Sequence, residues 1–286
     1  MRPVAALAGA AALAWAGWIE PRRLVTVRRR LELPRWPAAL DGVQLGVLSD
    51  IHSGAPHAGP TAIARAVERL NAERPDAMVL LGDHIDAHPL WGGRVPPEDI
   101  VRELGALQAP LGVFAVLGNH DWKQAGDRMW RALEDAGIEV LENRAAPAGD
   151  FHVAGLADLR SRRPDLPSAL ADVPSDTPVV LLSHDPDVFP YVPDRVALTL
   201  SGHLHGGQVA IPLLRRPALP SRYGERYVRG HVVEDDRHLY VSSGLGTAGL
   251  PLRFLAPPEV VILELVSRAG ESAGSPSRSR RDPGRR

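Results

Sequence analysis

Residues 77–86 read AMVLLGDHID, an apolar run that ends in Gly82 and Asp83. A short apolar run with a turn signal behind it is typical of a strand that is buried on both faces of a sheet. Glycine allows the backbone to turn sharply where such a strand ends. The stretch therefore predicts a buried strand whose carboxyl end presents a carboxylate.

The same pattern returns along the chain with other polar residues at its end. Four more runs end in side chains that can bind a metal ion: VQLGVLSDIH at 43–52, GVFAVLGNHD at 112–121, PVVLLSHDP at 178–186 and VALTLSGHLHGG at 196–207. A further run, RHLYVSSGLGTAG at 237–249, ends in a glycine-rich loop instead. We interpret all of these runs as buried strands.

Helical patterns follow the first three strands. Residues 61–75 carry apolar residues at 63, 66, 67 and 70, on one helix face, and residues 96–107 and 127–137 follow their strands in the same way. Alternating strands and helices predict an α/β fold with a largely parallel sheet. After residue 150 the connections shorten, and we expect a second sheet there.

The carboxyl ends of strands in an α/β sheet are where ligands collect. Here they supply seven nitrogen or oxygen ligands: Asp50, His52, Asp83, Asn119, His184, His203 and His205. Two divalent cations that share a carboxylate need about this number, with water completing their shells. Asp83 is the natural shared ligand because a carboxylate has two oxygens, and we expect His203 and His205 to bind different ions. The chain has no cysteine, which excludes disulfides and thiolate metal sites.

Taken together, these motifs resemble the calcineurin-like metallophosphoesterase superfamily. They are D-x-H at Asp50, G-D-x-x-D at Gly82, G-N-H-D at Gly118, a lone histidine after a strand at His184, and G-H-x-H at Gly202. The resemblance covers residues 43–265 and implies a four-layer αββα sandwich with two mixed β-sheets. It also implies a metal site at the strand ends that holds two divalent ions, with Mn, Zn and Fe all compatible with these ligands.

The resemblance also implies a role for each residue. Asp50, His52, Asp83 and His205 would bind one ion, and Asp83, Asn119, His184 and His203 the other. His120 would be the general acid at the leaving group, oriented by Asp121. Asp86 is expected to support a ligand or cap a helix, and His84 and Asp185 are expected to be structural. The remaining histidines that stand alone in the sequence are expected on the surface or in the core; they are at positions 57, 88, 152, 231 and 238.

The expected activity is hydrolysis of a phosphodiester or pyrophosphate bond. GHLHGGQ at 202–208 and YVSSGLGTAGLPLRF at 240–254 look like the bacterial membrane-associated branch, which includes hydrolases of UDP-2,3-diacylglucosamine type. This similarity suggests a lipid-linked substrate, with Arg253 and the loop at 244–249 either contacting its phosphate or forming plain loop structure. The alternatives are a catalytically inactive metal-binding scaffold and a phosphomonoesterase with a soluble substrate. A β-lactamase-like hydrolase is disfavoured, because HLHGGQ lacks that class's Asp-His continuation.

The two ends of the chain differ from its middle. Residues 4–19 carry no charge but are short for a spanning helix, which needs about 20 residues. They suggest an anchor, an interfacial helix with Trp15 and Trp18 as its aromatic anchors, or a signal-peptide core. The arginines that follow favour the cytoplasmic face if the segment spans, with the exported face as the alternative, although LVTVRRRLEL at 24–33 also fits a strand.

We therefore expect four parts: a membrane-associated segment at 1–20, a lead-in strand and linker at 21–42, the catalytic domain at 43–265, and a disordered tail at 266–286. The basic loop at 160–165 is expected to be solvated, although a cap over a phosphate site is an alternative. The formal net charge of −1 gives no electrostatic reason to expect a nucleic-acid partner.

Overall fold

The computed structural model describes residues 2–86, 92–211 and 219–268, and it contains two six-stranded sheets. The strands of the first sheet, in spatial order, are β1 (Val25–Leu33), β12 (Glu259–Ser267), β2 (Val43–Leu48), β3 (Ala77–Leu80), β4 (Val113–Ala115) and β5 (Glu139–Val140). Those of the second are β10 (Gly230–Glu234), β11 (Arg237–Val241), β9 (Leu198–Ser201), β8 (Val179–Leu182), β7 (Phe151–Gly155) and β6 (Arg144–Ala148).

Both sheets are mixed. In the first, β2 to β5 are parallel neighbours, and β12 runs antiparallel to β2. In the second, β7, β8, β9 and β11 are parallel, while the two edge strands β6 and β10 are antiparallel. The predictions of a largely parallel first sheet and of a second sheet after residue 150 are both confirmed.

Five α-helices are described: α1 (Arg2–Ala14), α2 (Pro60–Glu73), α3 (Pro97–Leu104), α4 (Asn119–Asp135) and α5 (Leu166–Leu170). The predicted face of α2, formed by Ile63, Ala66, Val67 and Leu70, is buried. Helices α2 to α4 connect parallel strands of the first sheet and cover its outer face. The outer face of the second sheet is covered by α5, a 3₁₀ helix at Pro186–Tyr191 and the segment around Tyr227.

Three apolar clusters lie between these layers. Alternate residues of β3 point to opposite faces, so that Met78 packs against the helices while Val79 packs against the second sheet. The cluster between the sheets includes Leu45 and Leu200, and both are fully buried. Four layers with a core at each junction place the carboxyl ends of the central strands of both sheets at one end of the sandwich.

The interpretation of residues 24–33 as a strand is confirmed. Strand β1 pairs with β12 over its full length, from Val25 opposite Glu259 to Leu33 opposite Ser267. The fold therefore extends beyond the expected boundaries 43 and 265. Residues 266 and 267 belong to β12, so the disordered tail cannot begin at 266 as expected. The part of the expected tail from residue 269 onward lies outside the described residues.

The expectation of a membrane-associated amino terminus on the cytoplasmic face was wrong. Among the described residues, none of the helices combines the length and the apolar character needed to cross a bilayer, and α1 has only 13 residues. The turns that follow α1 pack on the catalytic domain, where Arg253 N donates to Ala16 O over 2.9 Å. The two tryptophans expected at an interface contact the chain itself. Trp15 Nε1 donates to Glu20 over 2.6 Å, and the Trp18 ring lies 5.8 Å from that of His57.

Candidate metal centre

The seven predicted ligands lie together where strands of both sheets end. Asp50 and His52 follow β2, Asp83 follows β3, Asn119 follows β4, His184 follows β8, and His203 and His205 follow β9. Backbone hydrogen bonds join the first two of these loops, from Asp50 N to Gly82 O over 3.0 Å and from His52 N to Asp83 O over 2.9 Å. The parallel order of the strands is what brings ligands far apart in sequence to one place.

Three groups of three side chains bring their ligand atoms within 4.8 Å of one another. Asp50, His52 and His205 form the first, Asp83, His184 and His203 form the second, and a third of His52, Asp83 and His120 shares one member with each of them. In the first group, Asp50 Oδ1 lies 3.6 Å from His205 Nε2. In the second, His184 Nε2 lies 3.1 Å from Asp83 Oδ2. The groups adjoin, because His52 Nε2 is 3.5 Å from that same Asp83 oxygen.

Pairs of imidazoles also face each other across the site. His205 Nε2 lies 3.0 Å from His52 Nε2, and His203 Nδ1 lies 3.1 Å from His184 Nε2. Nitrogen ligands bound to one ion at about 2.1 Å lie about 3 Å or slightly more apart. The spacing therefore fits two imidazoles on each ion.

The backbone is unusual at these positions. Asp50, His52, Asp83, His203 and His205 all have φ between 48° and 70°, in the left-handed region that non-glycine residues rarely adopt. Such conformations persist where the surrounding structure enforces them, and they are concentrated at functional sites. Five of the seven predicted ligands share this feature, which indicates that the fold holds them in place for a purpose other than packing.

Glycines leave room for the carboxylates. A β-carbon at Gly118 would collide with the Asp83 side chain, and one at Gly202 would collide with Ser49 and Asp50. The carboxylates are then held by backbone donors, because His120 N donates to Asp83 Oδ1 over 2.8 Å and His203 N donates to Asp50 Oδ1 over 2.9 Å. The glycines of the sequence motifs are thus required by close packing around the ligands.

The pKa shifts of three ligands suit metal binding, whereas two others shift the opposite way in the absence of an ion. Burial raises the pKa of Asp50. Burial alone would lower the pKa of His184, but Asp83 and Asp50 raise it well above its ordinary value. Burial, together with the charge of His184, lowers the pKa of His203 well below its ordinary value, and burial and His52 do the same for His205. Burial alone would raise the pKa of Asp83, but the neighbouring His184 and His52 rings bring it well below its ordinary value. Two neutral imidazoles and an ionised carboxylate are the forms that coordinate a cation.

One buried oxygen of the site lacks a hydrogen-bond partner in the described part of the chain. Asn119 Oδ1 is buried and has no hydrogen-bond partner among the described residues. A buried amide oxygen without a partner is costly, and a bound cation would satisfy it. His184 Nδ1 lies 2.8 Å from Leu81 O, which places a proton on Nδ1 and turns Nε2 toward Asp83. The residues present therefore fit a pair of divalent cations.

His120 borders this centre, but its predicted partner is different in the structure. Its Nδ1 lies 3.2 Å from Asp86 Oδ1, whereas Asp121 lies 2.9 Å from His84 Nδ1 and accepts from the backbone N–H of His84 and Gly118. The expectation that Asp121 orients His120 was therefore wrong, because the turn of α4 directs the two consecutive side chains to different neighbours. The G-D-x-x-D spacing was the available signal for Asp86. The structural role expected of His84 agrees with these contacts.

Arg253 was a candidate for contact with the substrate phosphate, but its side chain is not accessible to a substrate. Its side chain is fully buried, and its guanidinium donates to Ala256 O over 2.8 Å, Ser243 O over 2.8 Å and Gly246 O over 2.9 Å. Burial lowers its pKa to about 10, so it stays charged at neutral pH. The alternative of plain loop structure fits these carbonyl contacts, and Nη2 of Arg253 also lies 3.5 Å from Nδ1 of the predicted ligand His205.

Two contacts near the site escaped the sequence analysis. Gln208, directly after the histidine pair, donates to Ala248 O over 3.0 Å and accepts from Ala248 N over 2.8 Å, so it ties the two glycine-rich loops together. Arg160, in the loop expected to be solvated, lies 2.8 Å from the buried carboxylate of Asp185. Asp185 Oδ2 in turn lies 3.8 Å from His203 Nε2. The position of Gln208 inside GHLHGGQ was the only local signal for either contact.

Comparison with known proteins agrees with this geometry. The family model described as Calcineurin-like phosphoesterase matches residues 43–235, which contain every ligand described above. The chain belongs to this family. It is accordingly a metallophosphoesterase, a hydrolase of phosphate esters with candidate metal-binding residues.

Relatives of this metallophosphoesterase extend over nearly the whole chain. The uncharacterized metallophosphoesterase YkuE of Bacillus subtilis is 30% identical over 269 residues, covering 92% of each chain. The UDP-2,3-diacylglucosamine pyrophosphatase LpxG of Chlamydia trachomatis is 27% identical and covers 87% of this chain and 91% of its own. Among solved structures, TT1561 of Thermus thermophilus is 13% identical, with a TM-score of 0.46 over 71% of this chain and 90% of that one.

Proposed function

We propose that this chain is a two-metal phosphoesterase that hydrolyses a phosphodiester or pyrophosphate bond. The observation that carries the proposal is the pair of adjoining three-ligand groups, with His120 at their border. We assign Asp50, His52 and His205 to one ion and Asp83, His184 and His203 to the other, as the groups place them. Asp83, which also lies beside His52, would be shared by both ions, and Asn119 Oδ1, which has no hydrogen-bond partner within the described ranges, would complete the second set. Mn, Zn and Fe all suit this set.

Two bound cations would supply a hydroxide near neutral pH and polarise the phosphoryl oxygens. His120 supplies the other requirement, a proton for the leaving oxygen. Burial alone would lower the pKa of His120, but the hydrogen bond to Asp86 and the nearby Asp83 raise it above its ordinary value. The raised pKa favours the protonated form of His120, which is the form that a general acid needs. Asp86 positions the ring and stabilises its charged form.

An apolar groove supports a lipid-linked substrate. A groove of about 580 Å³ begins at His203 and His205 and continues along Leu204, Val209, Leu219, Leu250 and Leu252. Apolar side chains that adjoin a hydrolytic centre favour a substrate with an apolar group attached to its phosphate. The name of the LpxG relative, a pyrophosphatase of a diacylated sugar nucleotide, agrees with this chemistry.

The test of the activity is metal-resolved turnover. The full chain is stripped of metal and given Mn, Zn, Fe or Mg separately, and it is assayed on bis-p-nitrophenyl phosphate and p-nitrophenyl phosphate. We expect restored turnover in the wild type and loss of turnover in His120→Ala and Asp83→Ala. His231→Gln, at an exposed histidine in β10, serves as the matched control. Metal binding without turnover on any phosphoester would overturn the enzyme proposal in favour of an inactive scaffold, and preference for the monoester would favour a phosphomonoesterase.

The test of the lipid-linked substrate compares two sugar nucleotides. UDP-2,3-diacylglucosamine and UDP-glucose share a pyrophosphate, and UDP-glucose has hydroxyls where the other compound has an amide-linked and an ester-linked acyl chain. We expect the acylated compound to have the higher kcat/KM, and Leu250→Asp to reduce that preference. Equal kcat/KM for both compounds would overturn the lipid-linked substrate and leave the phosphoesterase activity in place.

A further inference from the structure

A second cavity opens at the metal centre, on the side of His120. This cleft has a volume of about 710 Å³ and is lined by Asp86, Arg94, Val95, Lys123 and Arg128, among others. Ala248 and Gly249 line both the cleft and the apolar groove, so this loop lies between the two cavities. An apolar cavity that reaches His203 and His205 thus adjoins, at this loop, a cavity with cationic walls that reaches His120.

The charges of the cleft do not balance. Arg128 forms an ion pair with Glu98, in which Nη2 lies 2.6 Å from a carboxylate oxygen. Asp86 is paired with His120. Arg94 and Lys123 are both exposed, and within residues 2–86, 92–211 and 219–268 neither has a carboxylate within ion-pair distance. Two cations are thus left over in the walls of the cleft.

These cations lie next to the general acid. Lys123 follows His120 by three residues on α4, and side chains at that spacing share one face of a helix. His120, Lys123 and Gln124 all line the cleft. Since the general acid must reach the leaving oxygen, the part of the substrate that departs occupies the cavity that His120 lines.

We propose that this cleft binds a second anionic group of the substrate, on its leaving-group side, and that Arg94 and Lys123 hold it. The proposal rests on the proposed function and narrows it to a pyrophosphate diester or a diester whose leaving group carries a phosphate. In the reaction, the bond between phosphorus and the leaving oxygen breaks and an oxygen from water bonds to that phosphorus. The proton of His120 passes to the leaving oxygen, and no oxidant or reductant is involved.

Charge explains why two residues are needed. A pyrophosphate diester carries a negative charge on each phosphoryl group, and only one of these groups can be the one attacked. The other phosphoryl group loses hydrating water when it enters the cleft, and a protein group of opposite charge offsets the free-energy cost of that desolvation. Arg94 offers a planar fork of donors and Lys123 a mobile ammonium, a combination that suits phosphate oxygens.

The experiment measures affinity, so that turnover is not required. Methylenediphosphonate, an unhydrolysable pyrophosphate, and methylphosphonate are titrated calorimetrically into the Mn-loaded full chain. We expect Lys123→Ala and Arg94→Ala each to reduce the affinity ratio of the two compounds by about tenfold, the loss typical of a hydrogen bond to a charged group. Lys123→Arg should restore most of the ratio. Arg131→Ala is the matched control, because Arg131 is an exposed cation on the same helix that does not line the cleft.

Kinetics give a second measurement. The ratio of kcat/KM for UDP-glucose to that for bis-p-nitrophenyl phosphate should fall in the same variants, mainly through KM, and should be unchanged in Arg131→Ala. Equal losses of affinity for both phosphonates, or no loss for either, would overturn the cleft proposal. A protein that hydrolyses no phosphoester would instead overturn the proposed function, because the affinity ratio tests the cleft separately.

Discussion

His120 Nδ1 lies 3.2 Å from Asp86 Oδ1, and this contact joins the residue at the mouth of the metal centre to a carboxylate 34 positions earlier in the chain. Burial alone would raise the pKa of Asp86, but hydrogen bonds with His120 and His52 lower it well below its ordinary range. An ionised Asp86 therefore stabilises a protonated His120. The residue directly after His120, Asp121, is engaged elsewhere by His84.

The first two predictions distinguish the role of Asp86 from that of Asp121. Asp86→Asn should slow hydrolysis of diphenyl phosphate by about tenfold or more, since positioned general acids contribute about 10²-fold or greater. The loss should be smaller with bis-p-nitrophenyl phosphate, because p-nitrophenolate leaves without protonation. Equal losses for both substrates would contradict a role through the general acid and point to weakened metal binding through His52.

Asp121→Asn should act on stability instead. Asp121 accepts from three backbone N–H groups, those of His84, Ile85 and Gly118, and a neutral amide replaces one acceptor oxygen with a donor. We expect the free energy of unfolding to fall by about 1–3 kcal/mol, the usual cost of an unsatisfied buried group. Urea denaturation measures it, with Asp99→Asn at an exposed pair as the control. A stable variant with the Asp86→Asn kinetic defect would restore the original interpretation of Asp121.

The third prediction concerns metal content. Asp83 lies against ligands of both groups, whereas His205 belongs to one. Asp83→Ala should lose both ions on dialysis, while His205→Ala should lose one, as counted by elemental analysis. Chelation should also lower the melting temperature of the wild type, because ions that bind only the folded state add about 2.7 kcal/mol at 100 times Kd. One ion retained by Asp83→Ala would show that this carboxylate is not shared.

The fourth prediction concerns Arg253. Arg253→Met removes a buried guanidinium and leaves the carbonyls of Ser243, Gly246 and Ala256 without donors. We expect a loss of about 2–5 kcal/mol in the free energy of unfolding, with KM for bis-p-nitrophenyl phosphate changed less than twofold in the folded protein. A large rise in KM at unchanged stability would instead support contact with substrate.

The fifth prediction is a pH dependence of stability. His238 is buried in β11, and its Nδ1 lies 2.9 Å from His231 Nε2 on β10. Burial, with the charge of His231, lowers the pKa of His238 to about 4. Between pH 4 and the ordinary histidine pKa of about 6.5, His238 is protonated in the unfolded chain but not in the folded one. The contribution of His238 to the free energy of unfolding is therefore present above pH 6.5 and is lost as the pH falls toward 4.

Urea midpoints at pH 7.5 and pH 5 test this dependence. His238→Gln should reduce the difference between the two midpoints, because glutamine does not titrate. His152→Gln, in the same sheet and away from the pair, is the control. An undiminished difference in His238→Gln would place the acid sensitivity in other groups.

The amino-acid sequence predicted the strands and the ligand set for a physical reason. Buried parallel strands must be apolar throughout, so each is visible as a local run, and parallel order brings their carboxyl ends together. The face of α2 followed from its periodicity in the same way. These features depend on residues close in sequence, and a single chain therefore displays them.

Other features depended on contacts that no local pattern records. Hydrophobicity alone favoured a membrane segment at residues 4–19, but in the structure α1 continues as a π-helix at Trp15–Ile19, which packs on Arg253 and His57. The sequence places Asp121 beside His120, yet the geometry of α4 turns them apart and brings Asp86 to the ring.

By itself, then, the sequence determined the α/β architecture and the residues available to bind metal, because both follow from short-range pattern and the chemistry of side chains. Only the tertiary structure decided which carboxylate supports His120, that Arg253 holds a loop, and that an apolar groove and a cationic cleft meet at one loop beside the site. Those outcomes depend on the direction in which each side chain leaves the backbone, and that direction is set by packing between elements distant in sequence.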